Sequence, residues 1–330
     1  MKEWHLRFSV TPNCNFACVY CNPEGLKEES TVLTESEIVD ITKAASEIGI
    51  TRVHWTGGEP TLLNLEKLIS KARENGITDQ IVTTNGSKGG EYIKQLIMAG
   101  MTRLIVSLDS IDPERNYLIT RRRSFPSTLD SIETGVRMLD APTKMNIVSM
   151  LKTAEEIPRM VEYASSLNSN PENKGKLVLK MIELCPNNPI FYSSEGENLY
   201  RDAHITRDQV IKSFSKWKLV PTSMVGDNPN ADYHHVGDTG VIVGLVTMPS
   251  LDYKCGKKKC RKLRVNPFGY SGVCIGMEPV KLKGSSHDEI VEKLNYLTKY
   301  REELDTTRQD RKHYNGEFGF WRFGLCDRNK

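Results

Sequence analysis

His5-Leu6-Arg7-Phe8-Ser9-Val10-Thr11-Pro12-Asn13-Cys14-Asn15-Phe16-Ala17-Cys18-Val19-Tyr20-Cys21 reads as a strand, His5–Val10, running into a loop that carries three cysteines. Short β-branched or apolar runs recur downstream at Thr51–Thr56, Gln80–Thr84, Arg103–Ser107, Met145–Met150 and Leu177–Ile182. Helical patterns separate them at Glu35–Ile48, Asn64–Arg73, Tyr92–Ala99, Thr128–Leu139, Ile157–Leu167 and Arg207–Trp217. Strands alternating with helices imply a parallel sheet with helices outside. Six such units predict an α/β fold, a partial (β/α)6 TIM-like barrel, with active groups where strands end and loops begin.

The segment Cys185–Asp202 is rich in Pro, Asn and Ser and reads as a long loop. Beyond Trp217 the pattern changes to glycine-punctuated strands near Thr239–Thr247, Leu263–Val265 and Tyr270–Ile275, then a helix at Asp288–Tyr300. The expected division is a core barrel over residues 1–217 and a smaller C-terminal domain over residues 218–330.

The chain has 330 residues, 38% hydrophobic and 26% charged, ordinary values for a globular protein. No apolar run reaches the length of a membrane span, and the first residues lack the apolar core of a signal peptide. A cytoplasmic protein without membrane attachment is expected. A net charge of +3 does not mark the molecule as a nucleic-acid binder. Basic residues do cluster at Lys254, Lys257, Lys258, Lys259, Arg261, Lys262 and Arg264. That run is either a solvated face or a cationic pocket beside a metal centre.

Eight cysteines in a reducing compartment favour metal ligation over disulfides. Cys14, Cys18 and Cys21 form one triplet; Cys255, Cys260 and Cys274 form another; Cys185 and Cys326 stand apart. Three thiolates hold three irons of a [4Fe–4S] cluster and leave the fourth open, whereas four would close it. An open iron chelates the amino and carboxylate groups of S-adenosylmethionine (SAM), and one electron then releases a 5′-deoxyadenosyl radical. The competing reading, structural zinc, normally needs a fourth ligand close by.

Thr56-Gly57-Gly58-Glu59-Pro60 ends the second strand, Thr83-Thr84-Asn85-Gly86 the third and Ser107-Leu108-Asp109 the fourth. Thr56, Thr83, Asn85 and Ser107 are candidate SAM contacts or strand-end caps. Tyr20 is a candidate adenine neighbour or a packing residue. Glu183 ends the sixth strand, in the presumed cavity.

Arg7–Thr11, Thr56–Pro60, Val106–Asp109 and Cys260-Arg261-Lys262-Leu263-Arg264 resemble the radical SAM GTP 3′,8-cyclases of molybdenum-cofactor biosynthesis, nearly end to end. The resemblance implies that Gly57, Gly58 and Glu59 face the amino group of SAM. It also implies a second [4Fe–4S] cluster on Cys255, Cys260 and Cys274. Cys326 itself reads as a fourth ligand to that cluster, a buried small hydrophobe or a spare thiol. Arg7, Lys144 and Arg264 match substrate-contacting residues. Lys180 and Lys262 stand where the family has arginine, His54 replaces another arginine, and Arg52 replaces a lysine. The cyclases finish on a glycine pair, while this sequence finishes Phe323-Gly324-Leu325-Cys326-Asp327-Arg328-Asn329-Lys330.

The expected function is a lyase- or cyclase-like radical SAM enzyme. It takes hydrogen from a small phosphorylated nucleotide- or nucleoside-like substrate, and a reductant such as flavodoxin or ferredoxin supplies the electron. Alternatives are GTP 3′,8-cyclase proper, a peptide-modifying maturase, and a non-catalytic iron–sulfur or zinc module.

Overall fold

The computed structural model describes residues 4–21, 31–184, 194–223, 231–246, 261–273 and 279–307. Cys185, Cys255, Cys260, Cys274 and Cys326, and the basic run before Arg261, lie outside the described residues.

The first half alternates as expected: β1 (His5–Ser9), α1 (Glu35–Glu47), β2 (Arg52–Thr56), α2 (Leu65–Glu74), β3 (Asp79–Thr84), α3 (Gly89–Ala99) and β4 (Arg103–Ser107). Then come α4 (Pro113–Thr120), α5 (Phe125–Met138), β5 (Thr143–Ser149), α6 (Leu151–Ala154), α7 (Ile157–Ser169) and β6 (Leu177–Glu183). The remainder is α8 (Ser194–Ala203), α9 (Arg207–Ser213), β7 (Leu219–Thr222), β8 (Ala231–Val236), β9 (Ile242–Val246), β10 (Lys262–Val265), β11 (Tyr270–Gly272), β12 (Val280–Lys281) and α10 (His287–Thr307).

Among the described residues these strands make one sheet, in the order β12-β11-β10-β1-β2-β3-β4-β5-β6-β9-β8-β7. From β10 to β9 every pairing is parallel, and antiparallel hairpins continue both ends. The sheet stays open, with β12 and β7 at its edges. Strands from beyond Lys218 flank the six-stranded core on either side, so the boundary drawn there in the chain is not a boundary in the sheet.

Strand residues alternate between two environments, as a period of two requires. Leu6, Phe8, Val53, Trp55, Val82, Leu104, Val106, Met145, Ile147, Leu179 and Leu263 join the core shared with the helices. Phe8 and Trp55 stack at 6.1 Å, and the Trp55 indole donates to Gln80 Oε1 at 2.9 Å. Arg7, His54, Thr83, Lys144, Asn146, Lys180 and Arg264 occupy the other face, which is the lumen. A parallel sheet buried on both faces normally reads as continuous apolar strands. Here the inner face mixes these polar residues with apolar ones such as Ile81, Ile105 and Val178.

The helices begin on local signals. Thr34 and Glu37 form a reciprocal cap at the start of α1, and Asp112 caps α4 ahead of Pro113. The expected loop Cys185–Asp202 is corrected in its second half, because Ser194–Ala203 is α8. Tyr200 and Ala203 pack beside Ile119, Met150 and Leu184, so burial overrides the weak helix propensity of that segment.

Candidate active site

The cysteine loop lies at the C-terminal ends of the strands and is fastened from four directions. Below it, Gly58 N–H donates to Thr11 O at 2.7 Å and Glu59 N–H to Asn13 O at 2.8 Å. A Cβ on Gly58 would fall 2.1 Å from Asn13 O, and one on Gly57 2.6 Å from Thr11 O. Glycine is required there because two backbones touch.

On one side the Asn85 amide donates to Asn15 Oδ1 at 2.8 Å, and the Asn15 amide to Ser87 Oγ at 2.9 Å. On the other, Ala17 N–H and Val19 N–H donate to Thr120 O and Ile119 O, and Arg122 Nε donates to Asn15 O at 2.6 Å. At the far end Tyr20 O–H donates to Asp109 Oδ2 at 2.5 Å, while Asp109 Oδ1 accepts from Val148 N–H at 2.7 Å. Burial lifts the Asp109 carboxyl to about 6. The Tyr20 hydroxyl is therefore engaged in anchoring the loop. Asn15 and Arg122 were not singled out in the sequence; a polar residue inside the cysteine spacing was the available signal.

Glu59 is buried and accepts from Thr61 N–H, Thr61 O–H, Thr84 O–H and Asn85 N–H at 2.6–3.2 Å. Burial still raises its carboxyl above the usual range, outweighing these donors. Its role in this structure is to bind the ends of β2 and β3 together beneath the loop.

Cys14 and Cys21 are exposed and Cys18 is half-buried. Burial raises the Cys18 thiol, and the negative charges of Asp109, Cys21 and Cys14 add to that rise. Among the described residues no three His, Cys, Asp or Glu side chains converge as a single-ion site. A cubane takes one thiolate per iron, so its ligands stand apart, unlike the converging donors of a zinc site. Three thiols on one loop match the three protein ligands of a cubane with one open iron.

Deeper in the lumen the register sets cations side by side: His5 beside Lys262 and Arg52, and Arg7 beside Arg264 and His54. Across the lumen Lys180 sits beside Asn146, and Lys144 lies at the level of Ile105. Arg52 pairs with Asp79 at 2.5 Å, with Arg103 on the same carboxylate at 3.0 Å, at the start of β2, β3 and β4.

His54 is fixed by two bonds, Arg7 Nη1 to its Nδ1 at 3.3 Å and Nε2 to Thr83 Oγ1 at 2.7 Å. A guanidinium only donates, so Nδ1 accepts and Nε2–H donates to Thr83. Burial, then Arg7, Lys262 and Lys180, push the imidazole well below its usual value. Burial, then Lys262, Arg52, Arg264 and Arg7, bring His5 to about 3. His54 thus orients Arg7 and carries no charge at neutral pH.

Ser107 lies at the end of β4 beside Asn146, and Thr56 is buried at the end of β2 beside Ser9. Glu183 shares the face of Met181 and Leu179, not of Lys180, and meets His204 at 3.2 Å. The presumed cavity position of Glu183 is therefore corrected.

Residues 8–164 match the Radical SAM superfamily. The GTP 3′,8-cyclase of Clostridium botulinum is 30% identical over 299 residues, covering 88% of both chains. The chain belongs to the radical SAM superfamily, in the GTP 3′,8-cyclase family. The GTP 3′,8-cyclase of Alkaliphilus oremlandii is likewise 30% identical, over 82% of this chain and 80% of its own. In fold, this radical SAM enzyme is similar to native anSMEcpe with bound SAM. The TM-score is 0.58 at 17% identity, over 90% of this chain and 83% of that one. It is also similar to Streptococcus suis SuiB bound to SAM, with TM-score 0.54 at 15% identity, over 87% of this chain and 65% of SuiB. Membership makes SAM and a [4Fe–4S] cluster its cofactors. Among the described residues no helix is long and apolar enough to cross a membrane.

Proposed function

We propose that this radical SAM enzyme holds its cluster on Cys14, Cys18 and Cys21, and takes hydrogen from a nucleotide-like anion whose charged end rests on the lumen floor. When bound, the cluster and SAM together supply a one-electron cleavage that yields the hydrogen-abstracting 5′-deoxyadenosyl group. The chain's own part is positional. Gly57 and Gly58 let β2 approach the cysteine loop, Glu59 ties β2 to β3, and Asn85 and Asn15 set the loop's height. Thr56, Thr83 and Ser107, at the strand ends, offer hydroxyls beside the loop.

The observation that carries the substrate assignment is the strand register that sets Arg7 beside Arg264 and His54, and His5 beside Lys262, on one face beneath the cysteine loop. Like charges gathered in a cavity are stabilised by an anion between them, and arginine suits phosphate because its planar fork donates two parallel bonds. Lys144 extends the same lining. GTP 3′,8-cyclase activity proper is favoured by the identity with the cyclases along almost their whole length. A second cluster on Cys255, Cys260 and Cys274, with Cys326 as a possible fourth ligand, belongs to this proposal, as do a protein reductant and residence in the cytoplasm.

Anaerobic reconstitution tests the reading. With both clusters present the protein should hold about seven or eight irons. With dithionite and SAM it should release 5′-deoxyadenosine, and nucleoside triphosphates should bind with micromolar affinity. Zinc without iron, or iron without 5′-deoxyadenosine, would overturn the catalytic reading. Nucleotide-independent turnover with no nucleotide binding would overturn the substrate.

A further inference from the structure

The chemistry just proposed starts with one electron from outside, so a donor has to approach the cysteine loop; the following inference rests on that reading. Asn15, between Cys14 and Cys18, joins the loop to two exposed corners of the surface. Its carbonyl accepts from Arg122, and its amide donates to Ser87. Arg122 is the middle of three exposed arginines, Arg121–Arg123, where Arg121 ends α4 in a left-handed conformation with φ 59°. Lys88, exposed, follows Ser87 and lies 4.1 Å over the Tyr92 ring.

Arg123 is offset by Glu114 at 2.9 Å. Lys88, Arg121 and Arg122 make no ion pair with any described residue. Leu118, one turn before Arg121, is 58% exposed. Both corners therefore carry positive charge without an ion pair, one of them beside an exposed leucine, and both bond through Asn15 to the loop that holds the exposed Cys14 and Cys21. A net charge of +3 over the whole chain offers little long-range pull, and screening confines attraction to about 8 Å in physiological salt. The local rim has to supply it.

We propose that Lys88, Arg121 and Arg122, with Leu118, form the docking rim for a small acidic one-electron carrier protein. The carrier is oxidised by one electron and the group held by the cysteines is reduced by one. No bond forms between the two proteins. Acidic carriers suit this rim because complementary charge raises encounter rates and fixes orientation.

The test titrates the reconstituted full-length enzyme with flavodoxin across a salt series. It compares wild type, the Lys88→Glu/Arg121→Glu double variant, and a Lys43→Glu/Lys67→Glu double variant that changes net charge equally on α1 and α2. The rim variant should weaken flavodoxin binding by about tenfold or more at low salt and flatten its salt dependence. The control should move it less than about twofold, as expected for charges outside the docking rim. Dithionite-driven 5′-deoxyadenosine formation should be the same in all three. Equal weakening in both variants, or none in either, overturns the docking site. Loss of dithionite-driven formation in the rim variant alone also overturns it, because the rim would then be acting on the loop. If wild type itself makes no 5′-deoxyadenosine with dithionite, the radical reading fails, while the binding titration still decides the docking.

Discussion

At the mouth of the barrel Glu59 accepts four hydrogen bonds, Asp109 is held by Tyr20 and Val148, and Asn15 bonds to three neighbours. Deeper in the lumen two imidazoles are pushed below their usual value by burial, His54 also by Arg7, Lys262 and Lys180, and His5 also by Lys262, Arg52, Arg264 and Arg7. The two regions are both polar and partly enclosed. The mouth joins its polar groups to one another through hydrogen bonds within the chain. The floor lines up basic side chains on adjacent strands, Arg7 beside Arg264 and His5 beside Lys262. The proposed function puts the cofactors at the first region and the anionic end of the substrate at the second.

The largest expected effect lies at the mouth. Cys14→Ala should lower 5′-deoxyadenosine formation by at least about a thousandfold, since an iron loses its ligand, and iron analysis should show depletion. If activity survives, the mouth is not the cofactor region. Gly58→Ala comes next. The added methyl has to displace the backbone of Asn13, which should cost about 1–3 kcal/mol of stability by overpacking and weaken SAM binding measured by equilibrium dialysis. Alanine tolerated at both glycines would contradict the close approach of the two backbones.

At the floor, Arg264→Ala should weaken nucleotide binding by about 10- to 100-fold, as for loss of a charge-assisted contact of about 1.5–3 kcal/mol. Dithionite-driven SAM cleavage should be spared, which sharpens the division between the regions. His54→Gln should have the smallest effect on turnover but a diagnostic pH signature. The folded pKa of His54 lies below the unfolded value of 6.5, and that of His5 lies at about 3. Unfolded chains therefore take up protons first, and this part of the stability is present above pH 6.5 and lost as pH falls below it. The His5→Gln/His54→Gln double variant should flatten that acid limb in thermal unfolding.

Much of this division was legible in the sequence, though unevenly. The cysteine spacing and the strand-end segments at Thr56–Pro60 and Thr83–Gly86 located the mouth, because a short three-cysteine motif and glycine-bearing strand ends are local features of the sequence. The alternation through β1 to β6 was readable because outward-facing apolar residues recur on every strand. The return of β9 and β10 to the flanks of the core was not, since pairing between distant segments leaves no local signal. The cations at Arg7, Lys144, Lys180, Lys262 and Arg264 were identified one by one. Only strand register shows that Arg7 and Arg264 are neighbours and that His54 holds Arg7. Glu183 was misplaced for the same reason: one residue of register moves a side chain to the other face.

The most direct test follows deuterium from nucleoside triphosphates labelled throughout the ribose into 5′-deoxyadenosine under anaerobic turnover. The account predicts labelled 5′-deoxyadenosine from at least one purine nucleotide, and label from C3′ of GTP would assign the cyclase reaction. Vigorous SAM cleavage in which 5′-deoxyadenosine stays unlabelled with every nucleotide would contradict it.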